Sequence, residues 1–355
     1  MSDFSKSRHK PQGDLYLKIR IVLYICAHRT NTPHKMKFRT EINIKPFAEK
    51  IDHQSHIFSI GSCFAQYMAD ELLEAKFDIC SNPFGVMFNP ASIHAALHRL
   101  TKCELFSHED IVFDRDRWFS YDLHSSFDEI SSQCILTQAN TSVADGNMRL
   151  EDADWVVITF GTTWVYTLNE SGKVVANCHK QPASNFTRHR LSVTEIVDMY
   201  DELMRGVLAD KQVIFTVSPV RHLSDGADEN FLSKATLKVA VAEIVERFDN
   251  AHYFPAYEIL NDDLRDYRFY ADDLCHPSTS AREYIREKFF GAILSPKSLQ
   301  LLPRIKKIVR ARAHLPFEPM GKNFKEFCRQ QIQEIDSLPE IDFSDEREYF
   351  ATFIE

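Results

Sequence analysis

The chain has 355 residues, 44% of them hydrophobic, enough for one large core or for a core with an appendage. A formal net charge of −9 argues against a nucleic-acid backbone as the main partner. Glycine is scarce, at 10 residues, and neither GxGxxG nor a P-loop pattern is present, which argues against a glycine-rich phosphate loop.

The first 35 residues are basic and end in "HRTNTPHK". Their apolar run, residues 21–27, is too short to span a bilayer. Lys18 and Arg20 crowd it and no A-x-A site follows, so it makes a poor signal peptide. Met36 then opens "MKFRTEINIKPF", which reads as a natural start. Residues 1–35 are therefore expected to be an over-extended N-terminus, disordered or loosely attached, with export as the alternative. No later stretch reaches membrane-spanning length, and a cytoplasmic protein without a membrane span is expected.

From about 55 to 295, strand and helix patterns alternate. Residues 57–60 form a short apolar strand. Ala65, Met68, Ala69, Leu72 and Leu73 then mark one face of a helix. "SNPFGVMFNPAS" is a loop punctuated by Pro83, Gly85 and Pro90, and "SIHAALHRL" is helical. Residues 101–150, rich in aromatics and acids, read as an insertion that could form a lid over a site. "DWVVITFG" and "QVIFTVSPV" are continuous β-rich runs of buried parallel strands. Between and after them lie helices in "VTEIVDMYDELMRGVLA" and "NFLSKATLKVAVAEIVERF", then a short strand in "AHYFPA". "STSAREYIREKFFGAIL" is a helix whose Ser280-x-x-Glu283 resembles a capping box. This alternation predicts an α/β domain with a parallel sheet over residues 36–295. Residues 296–355 carry helical patterns alone and are expected to form a C-terminal helical extension.

The eight cysteines are spread without regular spacing, as expected of free thiols in a reducing compartment. Two Cys-His dipeptides, Cys178-His179 and Cys275-His276, invite a zinc reading, but adjacent side chains seldom share one ion. Neither a metal nor a cofactor is expected.

In open parallel sheets, sites form at the carboxyl ends of the strands. The first strand ends in Gly61-Ser62-Cys63, with two nucleophile-capable residues side by side where a helix begins. The last strand leads to a loop holding Asp273-x-x-His276. Nucleophile, imidazole and orienting carboxylate make a triad, in which Asp272 rivals Asp273. Amides at the elbow and at Gly85, with the Thr163 hydroxyl, are candidates for an oxyanion site. Asn177 and His179, after the strand-like "KVVA", and Arg221 and His222, at a strand end, are candidates for substrate binding.

Gly61-Ser62-Cys63-Phe64-Ala65 spells the motif of the GSCFA family, which the chain resembles over roughly 37–295. "NPFGVMFNP", "FGTTWVY", "NCHK", "TVSPVRHLSDG" and "DLCHPS" fit the same pattern. The resemblance implies membership of the SGNH (GDSL-like) hydrolase superfamily, with a flavodoxin-like three-layer α/β/α fold. It implies catalytic Asp273 and His276 and an oxyanion site at Gly85 and Thr163. Registered on Gly61 and Phe64, the superfamily's nucleophilic serine falls on Cys63, which is preferred over Ser62. The oxyanion asparagine is replaced by Thr163, which has a shorter reach.

The expected activity is that of an acyl-ester hydrolase or O-acyltransferase on a carbohydrate-like, hydroxyl-bearing substrate, hydrolysis being preferred. The expected partners are a small-molecule or glycan ester and, for transfer, an acyl carrier; no nucleic acid is expected. The alternative is a non-catalytic carbohydrate- or ligand-binding module on the same fold.

Overall fold

The computed structural model describes residues 39–313 and 321–354, so the expectations for residues 1–35 and for Met36 lie outside the described residues. Along the chain, β1 (His56–Gly61) and β2 (Asp78–Ser81) are followed by a hairpin of β3 (Val112–Asp114) and β4 (Arg117–Phe119). Next come β5 (Trp155–Phe160) and a small antiparallel sheet of β6 (Trp164–Leu168), β7 (Val174–Val175) and β8 (Phe186–Arg190). The last strands are β9 (Gln212–Val217) and β10 (Ala251–Phe254).

Five of these strands, all parallel, build the central sheet in the order β10-β9-β5-β1-β2. Read from the other edge, this is the flavodoxin-like doubly wound order, whose switch point falls between β1 and β5. The register sets Gly61 beside Thr159 and Phe160 beside Val217. The carboxyl ends of β1, β5 and β9 therefore open side by side.

Strand pleating sends alternate residues into two cores. Phe58, Ile60, Val156, Ile158, Phe160, Val213, Phe215 and Val217 face one layer of helices. That layer holds α2 (Pro90–Thr101), α3 (Ser132–Glu151), α4 (Val193–Arg205) and α5 (Ala227–Arg247). Ile57, Trp155, Val157 and Ile214 face the opposite layer, with α1 (Cys63–Glu74) and α6 (Thr279–Ile293). The fold is thus the α/β domain with a parallel sheet expected from the alternation, in the three-layer α/β/α arrangement that the resemblance implies. Helix starts follow local chemistry. Asn89 caps α2 by accepting the Ser92 N–H at 2.8 Å, with Pro90 in the first turn, and Ser192 and Glu195 form a capping box on α4.

Two local expectations change. α6 starts at Ser278, whose hydroxyl accepts the Ala281 N–H, and not from a Ser280–Glu283 box; the Ser280 hydroxyl lies against Ser278 instead. The stretch 101–150 is not one insertion. Residues 102–131 are irregular around the β3–β4 hairpin, but α3 buries Ile135, Leu136, Ala139, Val143 and Leu150 in the main core. Its polar face disguises a crossover helix.

The C-terminal extension is helical, as expected: α7 (Pro296–Arg312), α8 (Lys322–Asp336) and α9 (Ser344–Ala351). It closes a small core of its own around Ile305, Ile308, Phe324, Cys328 and Phe350. Among the described residues, no helix is long and apolar enough to cross a membrane.

Candidate active site

The strand-to-helix elbow is built on Gly61. Its φ of +147° disfavours L side chains, and a Cβ there would fall 2.3 Å from the Thr159 carbonyl oxygen. Asn82, at the end of β2, braces the turn: its Oδ1 accepts the Gly61 N–H at 2.8 Å and its Nδ2 donates to Gln66 at 3.0 Å. Ser62 takes the N-cap position with extended backbone, and Cys63 is the first residue of α1.

This placement separates the two candidate nucleophiles. Ser62 is 1% exposed and its Oγ has no hydrogen-bond partner. Cys63 is partly exposed and sits where the first amides of α1 point outward without intrahelical partners. Burial pushes the Cys63 thiol up, and the amides of Phe64 and Cys63 and the charge of Lys234 pull against that rise.

Lys234 was not anticipated. It lies on α5, 1% exposed, and its Nζ donates to the carbonyls of Gly161 at 2.6 Å and Ser218 at 2.8 Å. It ties the ends of β5 and β9 together behind the elbow. Burial lowers its pKa to about 7, and Cys63 acts in the opposite direction.

Asp273 and His276 come together as expected. His276 Nδ1 lies 2.6 Å from Asp273 Oδ2, and Asp273 Oδ1 accepts the N–H groups of His276 at 2.9 Å and Cys275 at 2.8 Å. These bonds hold the Asp273 carboxyl down at about 2. Arg221 straps the same loop, with its backbone N–H on the Cys275 carbonyl and its Nη1 on that of Leu274, both at 3.1 Å. The His276 side chain is about half exposed, at 53%, and its ring bonds Asp273; it makes no hydrogen bond to the Cys63 thiol.

Residues 56–289 match the profile of the GSCFA family, and residues 305–355 match that of the GSCFA domain protein C-terminal domain. The chain belongs to the GSCFA family. No curated protein matches it. Among solved structures, it is similar to an acetyl xylan esterase (Est2A) from the rumen bacterium Butyrivibrio proteoclasticus. The sequences are 11% identical, the TM-score is 0.33, and the match covers 68% of this chain and 64% of the esterase chain.

The remaining expectations divide in this GSCFA chain. His222 reaches the site: its ring meets Phe88 edge to face at 5.7 Å, and a Cβ on Gly161 would fall 3.2 Å from its Nε2. That Nε2 is buried without a hydrogen-bond partner. Burial, followed by the charges of Lys234 and His276, lowers the imidazole to about 4, so it is neutral near pH 7. Arg221 braces the loop of His276 through Nη1 and lies over the Tyr270 ring at 5.3 Å, which leaves its Nε and Nη2 outside these hydrogen bonds.

Three further assignments are corrected. The Gly85 amide donates to the Asn82 carbonyl at 2.7 Å, inside a turn that its φ of +81° permits, so it is not free for an oxyanion. Thr163 is fully buried and its hydroxyl donates to Ser233 Oγ at 3.1 Å. Asn177 Oδ1 accepts the His179 N–H at 2.9 Å. The His179 ring is buried, with Nε2 2.8 Å from the Ser120 carbonyl and Nδ1 3.1 Å from Asp128. His179 thus anchors the 102–131 segment and is not offered to a substrate, whereas Asn177 keeps its Nδ2 donor outside these bonds. The amides of Cys63 and Phe64 stand beside the Cys63 thiol at the start of α1.

Proposed function

We propose that this GSCFA chain is an SGNH-type acyl-ester hydrolase or O-acyltransferase, acting through Cys63 on a carbohydrate-like, hydroxyl-bearing substrate. The observation that carries the reading is the elbow itself. A partly exposed thiol stands at the first turn of α1, with Lys234 behind it, while the adjacent Ser62 is buried. The flavodoxin-like strand order, with its switch point at this elbow, supports the superfamily assignment.

In the reaction, Cys63 Sγ attacks the acyl carbon, and its proton passes to His276 Nε2, the nitrogen opposite the one held by Asp273. The amides of Cys63 and Phe64 receive the charge on the carbonyl oxygen. The imidazolium returns the proton to the departing alkoxide, leaving a thioester on Cys63. His276 then takes a proton from water, or from an acceptor hydroxyl, which attacks the thioester; the Cys63 thiolate leaves and takes that proton back from the imidazolium. The thiol–imidazole contact closes on substrate binding, as catalytic contacts do when they are loose in the free enzyme. The free thiols of the described cysteines suit a reducing compartment and a cytoplasmic site of action. Hydrolysis of an aryl acetate tests the reading: Cys63→Ala should abolish turnover while Ser62→Ala keeps most of it. The reverse pattern would overturn it.

One observation favours a second reading, a ligand-binding module on the same fold. Gly85 and Thr163 are engaged within the protein, and the thiol and the imidazole are not hydrogen-bonded. In that case Cys63 should react with iodoacetamide no faster than the other exposed cysteines.

A further inference from the structure

α2 and α4 pack side by side, and one cluster at their contact belongs to none of the chemistry above. His94 and His98 stand one turn apart on α2, so both rings project from the same face; their centroids are 4.4 Å apart. Glu202 reaches toward them from α4. His94 Nε2 lies 3.5 Å from Glu202 Oε2, and His98 Nε2 lies 3.4 Å from Glu202 Oε1. One ligand atom from each of the three residues falls within 4.8 Å of the others.

These separations are long for charge-assisted hydrogen bonds, which run at about 2.7–2.9 Å. Each is close to the edge of a tetrahedron around a zinc-sized ion, about 3.4 Å for metal–ligand bonds of about 2.0–2.1 Å, with a different carboxylate oxygen facing each imidazole. His94 Nε2 is buried and has no hydrogen-bond partner, although its ring is aimed into the cluster. The His94 side chain is 18% exposed and Glu202 is 62% exposed, so the group is closed on the helix side and open to water on the other.

We propose that His94, His98 and Glu202 bind a divalent transition ion of the zinc class, with a solvent molecule completing the coordination. Two imidazoles and one carboxylate suit zinc, cobalt or nickel; magnesium and calcium prefer sets made of oxygen alone. The ion would clip α2 to α4, where the Tyr200 hydroxyl already donates to the Pro90 carbonyl at 3.1 Å. α2 directly follows the segment that supports the elbow. The Met87 amide donates to the Gly61 carbonyl at 2.9 Å, and the Phe88 carbonyl accepts the amides of Gly161 and Thr162. A metal on α2 would therefore steady the elbow without touching substrate.

The test uses the full-length protein stripped with a chelator, then equilibrium dialysis against Zn²⁺ and a Co²⁺ absorption spectrum. One equivalent should bind, with d–d bands and no thiolate charge-transfer band, and Zn²⁺ should raise the melting temperature. His94→Ala and His98→Ala should each abolish both effects. Glu202→Gln should weaken binding by more than about tenfold, and Cys63→Ala should leave it unchanged. His98→Ala, at the more exposed position, serves if His94→Ala does not fold. Failure of the apo protein to take up either ion, binding that survives both histidine variants, or a thiolate band that disappears in Cys63→Ala would each overturn the proposal.

Discussion

Lys234 Nζ holds the carbonyls of Gly161 and Ser218 while its charge acts on the Cys63 thiol across the end of the sheet. A buried ammonium with two carbonyl partners carries a desolvation cost that those bonds offset in part. Its placement behind a partly buried thiol gives that cost a use, because the charge opposes the rise that burial imposes on Cys63. Lys234→Met keeps the side-chain length and removes both the charge and the donors. Held at about 7, the lysine loses its charge before the thiol, pushed up by burial, titrates, so the variant should slow Cys63 alkylation below neutrality, where the charge favours the thiolate, and leave it unchanged in alkali. Two carbonyls lose a donor while one buried charge disappears, so the melting temperature should change little. Equal alkylation rates for the variant and wild type below neutrality would make Lys234 a strut between strand ends and nothing more.

Asp273 fixes the tautomer and direction of His276 through Nδ1. Asn at 273 can still accept the backbone amides of Cys275 and His276, so the loop should keep its shape. Its amide nitrogen would face Nδ1 and favour the wrong tautomer. Asp273→Asn should lower kcat on the order of 10³–10⁴-fold with KM nearly unchanged. Asp272→Asn is the matched control and should stay close to wild type. Equal losses in the two variants would remove the orienting role from Asp273.

His222 is neutral in the fold, held at about 4 against an ordinary 6.5. Above pH 6.5 both the folded and unfolded states leave it uncharged. Between those values the unfolded chain takes a proton that the folded site refuses, so stability falls as pH drops from 6.5 toward 4. His222→Gln should flatten this slope, recovering on the order of 1–3 kcal/mol at the acid end relative to its own value at pH 7. Urea midpoints across that range measure it. Parallel slopes for the variant and wild type would show that His222 is not buried as described.

Gly61 combines a positive φ with a Cβ position 2.3 Å from a backbone oxygen, so Gly61→Ala should cost about 2–4 kcal/mol. Gly172, at φ +70° with open space around it, isolates the backbone effect, and Gly172→Ala should cost about 1 kcal/mol. Comparable melting temperatures for the two variants would contradict the steric account of the elbow.

The sheet was legible in the sequence because its strands are unbroken β-rich runs such as Trp155–Phe160 and its helices keep regular apolar spacing. The elbow and the Asp273–His276 pair were legible because each lies within a few consecutive residues. Lys234 was not, since a lysine inside a helical pattern reads as solvated until two carbonyls from β5 and β9 surround it. Thr163 looked like a donor to substrate; only Ser233, some seventy residues later, uses its hydroxyl. Gly85 was placed in a loop, but the partner of its amide, Asn82, depends on the left-handed backbone at Gly85. Long-range hydrogen bonds decide these roles, and local pattern does not reveal them.

The most direct test of the account is the position of the acyl group during turnover. An aryl acetate mixed with the wild-type protein, quenched in acid and digested, should give a peptide carrying one acetyl group on Cys63 as a hydroxylamine-labile thioester. Any adduct formed in His276→Ala should turn over more slowly than in the wild type, because the imidazole also serves the second step. An acetyl group on Ser62, or turnover with no acyl adduct on the 62–63 peptide under any quench, would contradict Cys63 as the nucleophile.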